Sequence, residues 1–78
     1  MERAIKIKIM DIIADTAGLS EVNENMDLMD DIGLSSIGLM DLLGRMEQEF
    51  QIKISARELR RVLTCADFIC LIEDKMSI

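Results

Sequence analysis

Leu39, Leu42, Leu43, Met46 and Phe50 recur at intervals of three and four, the period of one helix face and not of a strand. The stripe predicts an amphipathic helix that opens at Ser35 or Ser36, closes at Phe50 and turns its apolar side to a core. The chain has 78 residues and no proline. That is room for one core, and a domain this small buries only about 60% of the surface its unfolded form exposes. Such a helix needs other helices against it, and the rest of the sequence supplies them.

Ile5, Ile9, Ile12, Ile13 and Thr16 repeat at helical spacing. The short run Ile5-Lys6-Ile7-Lys8-Ile9 also alternates like a strand. The longer pattern favours a helix from Glu2 to Ala17, stopped by Gly18. Leu19 to Gly33 is a polar connection of a length that is uncommon in compact domains unless it is functional or held down, and Val22, Met26, Leu28 and Ile32 are the residues to hold it. Ser55-x-x-Glu58 is a capping-box pattern that opens a short helix ending near Arg61. Thr64-x-x-Asp67 repeats the device for a last helix to about Lys75, with Cys65, Phe68, Ile69 and Ile72 on its buried face. The expected fold is all-α: residues 1–78 form a single domain, a four-helix bundle with a long first loop and a short third helix.

Composition removes several functions. Fifteen Asp and Glu against nine Lys and Arg leave a net charge of −6, which disfavours nucleic acid and anionic membranes and favours basic protein partners. The absence of histidine removes the commonest general base and metal ligand, and with it Ser-His and Cys-His nucleophilic sites. Asp27-Leu28-Met29-Asp30-Asp31 invites a calcium reading, but Ile32 stands where an EF-hand needs glycine and Gly38 where it needs the closing Glu. No dedicated metal site is expected. Seven methionines suit a core able to repack around varied shapes, or simply fill gaps. The start Met1-Glu2-Arg3-Ala4-Ile5-Lys6 lacks the apolar stretch of a secretory signal, and no run reaches the roughly 20 residues of a membrane span. Cys65 and Cys70 point to different faces of one helix, so two free thiols, buried or half-buried, are expected in a reducing cytoplasm.

The stretch with chemical promise is Asp31-Ile32-Gly33-Leu34-Ser35-Ser36-Ile37. A glycine ends the loop, and a serine begins the strongest helix. A helix N-terminus offers unpaired N–H groups and partial positive charge, so a phosphate attached there is electrostatically favoured. The plain alternative is that Ser35 or Ser36 is only an N-cap, a feature with a contribution of about 1 kcal/mol. Ile37, Met40 and Gly44 continue from that serine as a track of apolar or small residues beside the core stripe.

Taken with the helix order, the acidity and the length, these residues identify the chain as similar to the acyl carrier protein family, from Ile5 to about Lys75. The resemblance is carried by Asp30-Asp31-Ile32-Gly33-Leu34-Ser35-Ser36-Ile37, by Asp41, Glu47, Glu49 and Phe50 on the helix that follows, and by Ile52-Lys53-Ile54. It implies a carrier without catalytic residues of its own. Ser36 would receive 4′-phosphopantetheine from coenzyme A by the action of a phosphopantetheinyl transferase, and the arm's thiol would hold acyl groups as thioesters for fatty-acid or related polyketide or aminoacyl biosynthesis. Ser36 is the matching residue because the family places the modified serine third after the glycine; Ser35 stands where fatty-acid carriers usually have Asp. The resemblance further implies a monomer that meets acyl-transferring and synthase enzymes through their basic docking patches, with Ile37, Met40, Asp41 and Glu47 as the contact residues. Gly38 and Gly44 replace an acid and a methionine usual in fatty-acid carriers, and Arg45 adds a positive charge, so the face is less acidic than the family pattern and specialised pathways come into view.

The main rival is an unmodified acidic helical adaptor that binds partners through the second helix. It accounts for charge and helices equally well, but not for Gly33-Leu34-Ser35-Ser36-Ile37 at the start of that helix. A calcium-responsive protein and a Ser-Lys or carboxylate enzyme have weaker support.

Overall fold

The computed structural model describes residues 2–76, and four helices account for most of them: α1 Glu2–Ala17, α2 Ser36–Phe50, α3 Ala56–Leu59 and α4 Cys65–Lys75. In α1 the helical period overrides the strand-like alternation. Ile9 and Ile13 are fully buried, whereas Ile7, half a turn from Ile9, is 54% exposed. A strand would have buried Ile7 with its neighbours. The helix ends at Gly18, whose φ of +74° lets the Leu19 N–H return to the Ala14 carbonyl at 2.9 Å, a left-handed C-terminal turn that favours glycine.

Leu42, Leu43 and Met46 of α2 face Ile9 and Ile13 of α1 across a core that also takes Cys65, Phe68, Ile69 and Ile72 of α4. Leu39 and Phe50, at the ends of the predicted stripe, are partly buried against it. Leu28, Ile32 and Leu34 close the core from the long connection. Burial of such side chains at about 1.5–3 kcal/mol each supplies the gain that offsets the entropy of ordering an otherwise polar loop.

Backbone hydrogen bonds give that loop its shape. The Leu28 N–H donates to the Leu63 carbonyl at 2.9 Å, Cys65 N–H to Met26 at 3.0 Å, and Ala66 N–H to Glu24 at 3.0 Å. An isolated antiparallel bridge, Asp27 to Thr64, marks this seam. The connection is thus stitched to the start of α4.

α3 contributes no fully buried residue. It is held by a complete capping box between Ser55 and Glu58 and by an ion pair from Glu58 to Lys75 of α4 at 2.7 Å. α4 opens with the second capping box, Thr64 with Asp67. Cys65 is buried, but Cys70 is exposed. This corrects the expectation that both thiols are at least half-buried: a step of five residues turns Cys70 well away from the core-facing side. No helix among the described residues is long and apolar enough to cross a membrane.

Candidate functional site at the start of the second helix

Three residues build the junction that presents Ser36. Gly33 has φ +86°, a left-handed conformation that a side chain would strain, and it turns the chain out of the loop. Leu34 is then buried, and its N–H donates to the Leu28 carbonyl at 3.0 Å, so the approach to α2 is anchored. Ser35 adopts an extended backbone and accepts at Oγ from the Gly38 N–H at 3.1 Å. It is the N-cap. Ser36, the first residue of the helix, is exposed, and its hydroxyl is left free of the capping role.

The division between the two serines follows from helix geometry. An N-cap side chain reaches the N–H groups two or three residues ahead, while the first helical residue points outward. The first-turn N–H groups of Ser36 and Ile37 have no carbonyl behind them within the helix. A phosphate ester on Ser36 Oγ would lie beside those donors and at the positive end of the α2 dipole. Gly38 supports the same geometry: a Cβ there would stand 3.2 Å from Leu34 Cδ2, so a larger residue would press on the anchor of the turn.

Beside Ser36, α2 exposes two large apolar side chains. Ile37 is 83% exposed and Met40 59%, and Met29 and Leu63 are also exposed. Further along α2 the expected acids have partners within the chain. Asp41 meets Arg45 Nε at 3.3 Å, and the same guanidinium reaches Asp15 of α1 at 2.8 Å. Glu47 is half-buried and accepts from the Ile54 N–H at 2.8 Å. Glu49 pairs with Lys8. Two carboxylates near the negative end of a helix are unfavourable on dipole grounds. Their partners explain their presence: one fixes the chain as it leaves α2, the other ties α2 to α1. Glu47 lies about three turns from Ser36, so Ile37, Met40 and Asp41 flank the serine and Glu47 stands at the far end of the face.

The acidic loop uses its carboxylates on itself. Asp27 Oδ1 accepts from the N–H groups of Met29 and Asp30 at 3.1 and 3.2 Å, and Asp31 Oδ2 from the Asp27 N–H at 2.8 Å. Among the described residues no group of three potential ligands converges on a metal position. One surface feature is missing from the sequence reading: Lys53, Arg57, Arg60 and Arg61, all exposed, cluster around α3. Their close succession in an acidic chain was the available signal.

Residues 8–69 match the family described as "Phosphopantetheine attachment site". The chain belongs to the acyl carrier protein family. The acyl carrier protein of Thermotoga maritima is 35% identical over 72 residues, 90% of this chain and 89% of that one. The acyl carrier protein of Solidesulfovibrio magneticus is 36% identical over 70 residues, 87% and 90% of the two chains. BlmI, a type-II acyl carrier protein from Streptomyces verticillus involved in bleomycin biosynthesis, superposes with a TM-score of 0.84 at 25% identity, over 96% of this chain and 89% of that one. The cofactor of this acyl carrier protein is 4′-phosphopantetheine, and its all-helical fold is shared with solved acyl carrier proteins. Membership of this family implies interaction with a phosphopantetheinyl transferase and with acyl-transferring and synthase enzymes.

Proposed function

We propose that Ser36 is the residue that carries the arm, and that residues 1–78 act as one monomeric cytoplasmic carrier domain with no catalysis of its own. The observation that carries this reading is the division of labour at the helix start: Ser35 Oγ caps Gly38 N–H, leaving Ser36 exposed. In the loading step, Ser36 Oγ attacks the phosphorus of coenzyme A that bears the pantetheine. A phosphodiester forms, the bond to the nucleotide phosphate breaks, and the serine proton passes to a base of the transferase. The attached arm supplies a thiol that holds acyl groups as thioesters. The chain's own residues position that arm: Gly33 and Leu34 fix the turn, and the first-turn N–H groups of α2 face the phosphate.

Docking by partner enzymes is assigned to Ile37, Met40, Asp41 and Glu47. The two exposed apolar residues suit a shallow pocket beside the arm's entrance, and the acids suit basic rims on transferases and synthases. Arg45 offsets part of that acidity through Asp41 and Asp15, which supports a dedicated, specialised set of partners.

The test is intact-mass measurement after incubation with coenzyme A and a broad-specificity phosphopantetheinyl transferase. One added arm is expected in the unaltered chain and in Ser35→Ala, and none in Ser36→Ala. Ser35→Ala should also lose stability by about 1 kcal/mol through the missing cap. An arm that persists in Ser36→Ala would overturn the assignment.

A further inference from the structure

Every other cation whose side chain is described has an acidic partner within the chain: Lys6 with Glu24, Lys8 with Glu49, Arg45 with Asp15 and Asp41, and Lys75 with Glu58. Lys53, Arg57, Arg60 and Arg61 do not. They are exposed and take part in no ion pair among the described residues. The acid among them, Glu58, is turned to Lys75 and to the Ser55 N–H. Arg57, Arg60 and Arg61 are three and four residues apart on a continued helical turn, in which the Arg60 N–H bonds Ala56 and the Arg61 N–H bonds Glu58. That spacing puts them on one side.

This basic face adjoins an apolar anchor at the arm-bearing end of the molecule. Leu63, two residues past Arg61, is 60% exposed. Its carbonyl accepts from Leu28, whose own carbonyl accepts from Leu34, and Leu34 precedes Ser36 by two. The α3–α4 connection and the start of α2 therefore belong to one hydrogen-bonded frame. An exposed leucine beside arginines that enter no ion pair among the described residues has the make-up of an interface: an apolar centre with a charged rim.

We propose that Lys53, Arg57, Arg60, Arg61 and Leu63 form a second docking patch, for a partner protein that presents carboxylates next to its own apolar pocket. Charge complementarity selects this occupant. A net charge of −6 repels an extended polyanion such as nucleic acid or an anionic bilayer, whereas a folded partner can set acids against this patch and bases against α2. The chain thus presents both signs around Ser36, and it discriminates against partners whose docking surface is basic throughout. The inference rests on the carrier reading and specifies the partner's surface.

The experiment uses the isotopically labelled full chain, titrated at low salt with a synthetic helical peptide that carries Glu at i, i+3 and i+4 around one Leu. A charge-inverted Lys peptide, anionic phospholipid vesicles and a single-stranded oligonucleotide serve as comparators. Expected are amide shifts confined to residues 53–63 with the Glu peptide, weakened roughly tenfold or more as salt shortens the Debye length from about 30 to about 8 Å. The shifts should vanish in the Arg57→Ser/Arg60→Ser/Arg61→Ser variant and weaken in Leu63→Ala, with salt dependence retained in the latter. The proposal is overturned if the triple variant shifts as the unaltered chain does, if the Glu peptide moves nothing, or if vesicles or oligonucleotide perturb the same amides more strongly. Arm loading of the same samples, followed by mass, is a separate readout. A chain that takes no arm defeats the carrier reading, and a loaded chain without peptide binding defeats only the patch.

Discussion

Ser35 and Ser36 are chemically identical neighbours with opposite fates, decided by one step along the backbone. The same contrast separates the cysteines. Cys65 is completely buried, and desolvation pushes its thiol up to about 11, because an apolar surround disfavours the thiolate. Cys70 is exposed. Iodoacetamide at neutral pH should therefore modify one cysteine in the folded chain and both in denaturant. Peptide mapping should place the folded-state label on Cys70, and rapid labelling of Cys65 would contradict the packing described. Raised proton affinity in the folded state also has a linkage consequence. The contribution of Cys65 is complete below its unfolded value near 9 and is lost as pH rises toward about 11.

At the scale of elements, α3, which buries no residue fully, depends on the Glu58 carboxylate, and the start of α4 adds the Asp67 carboxylate to the burial of Cys65 and Phe68. The hydrogen bond from Lys75, followed by that from the Ser55 backbone, holds Glu58 down to about 2. The backbone N–H groups of Thr64 and Leu63 lower Asp67. Groups depressed in the folded state stabilise it above their unfolded pKa, and that contribution is lost as pH falls through the folded value. The α3–α4 region should thus keep its protection near pH 5 and lose it progressively below about pH 4.5 toward 2. Amide hydrogen exchange would show this loss, and Glu58→Gln should flatten its pH dependence. The α2 face makes a different prediction. Asp41→Lys should slow acyl loading by the cognate enzyme several-fold at low salt, with less effect at high salt. Unchanged rates at low salt would remove Asp41 from the docking face. The helices themselves were legible from sequence because their signals are local: the three-and-four stripe of α2, the Gly18 stop, and the Ser55 and Thr64 capping boxes each act within one or two turns. The fates of Glu47 and Glu49 were not, since their partners Ile54 and Lys8 are assigned by how the chain returns and packs; Asp41 meets Arg45 at the local i,i+4 spacing, and only the reach of Arg45 to Asp15 is tertiary.

For the whole molecule, the core is aliphatic with Phe68 as its one fully buried aromatic residue, a composition that can repack around an inserted chain. Each methylene of an acyl group taken from water gains about 0.8 kcal/mol, so a long acyl chain on the arm should enter between helices. Comparison of amide chemical shifts in acylated and unacylated forms should show changes at core residues such as Ile13, Met46 and Ile72, and identical shifts throughout the core would exclude sheltering. Sequence alone determined which segments are helical, the stops of α1 and α2, the caps of α3 and α4, and which serine stands third after the turn glycine, because periodicity, caps and left-handed glycines are short-range physics; it left the start of α2 between Ser35 and Ser36 and ran α3 two residues past its end at Leu59. Only the tertiary structure decided that the long loop is stitched to the start of α4, that Glu49 of α2 is spent on Lys8 of α1, and that Arg57, Arg60 and Arg61 enter no ion pair among the described residues. Those outcomes depend on contacts between residues distant in sequence, and no local pattern encodes the distance between them.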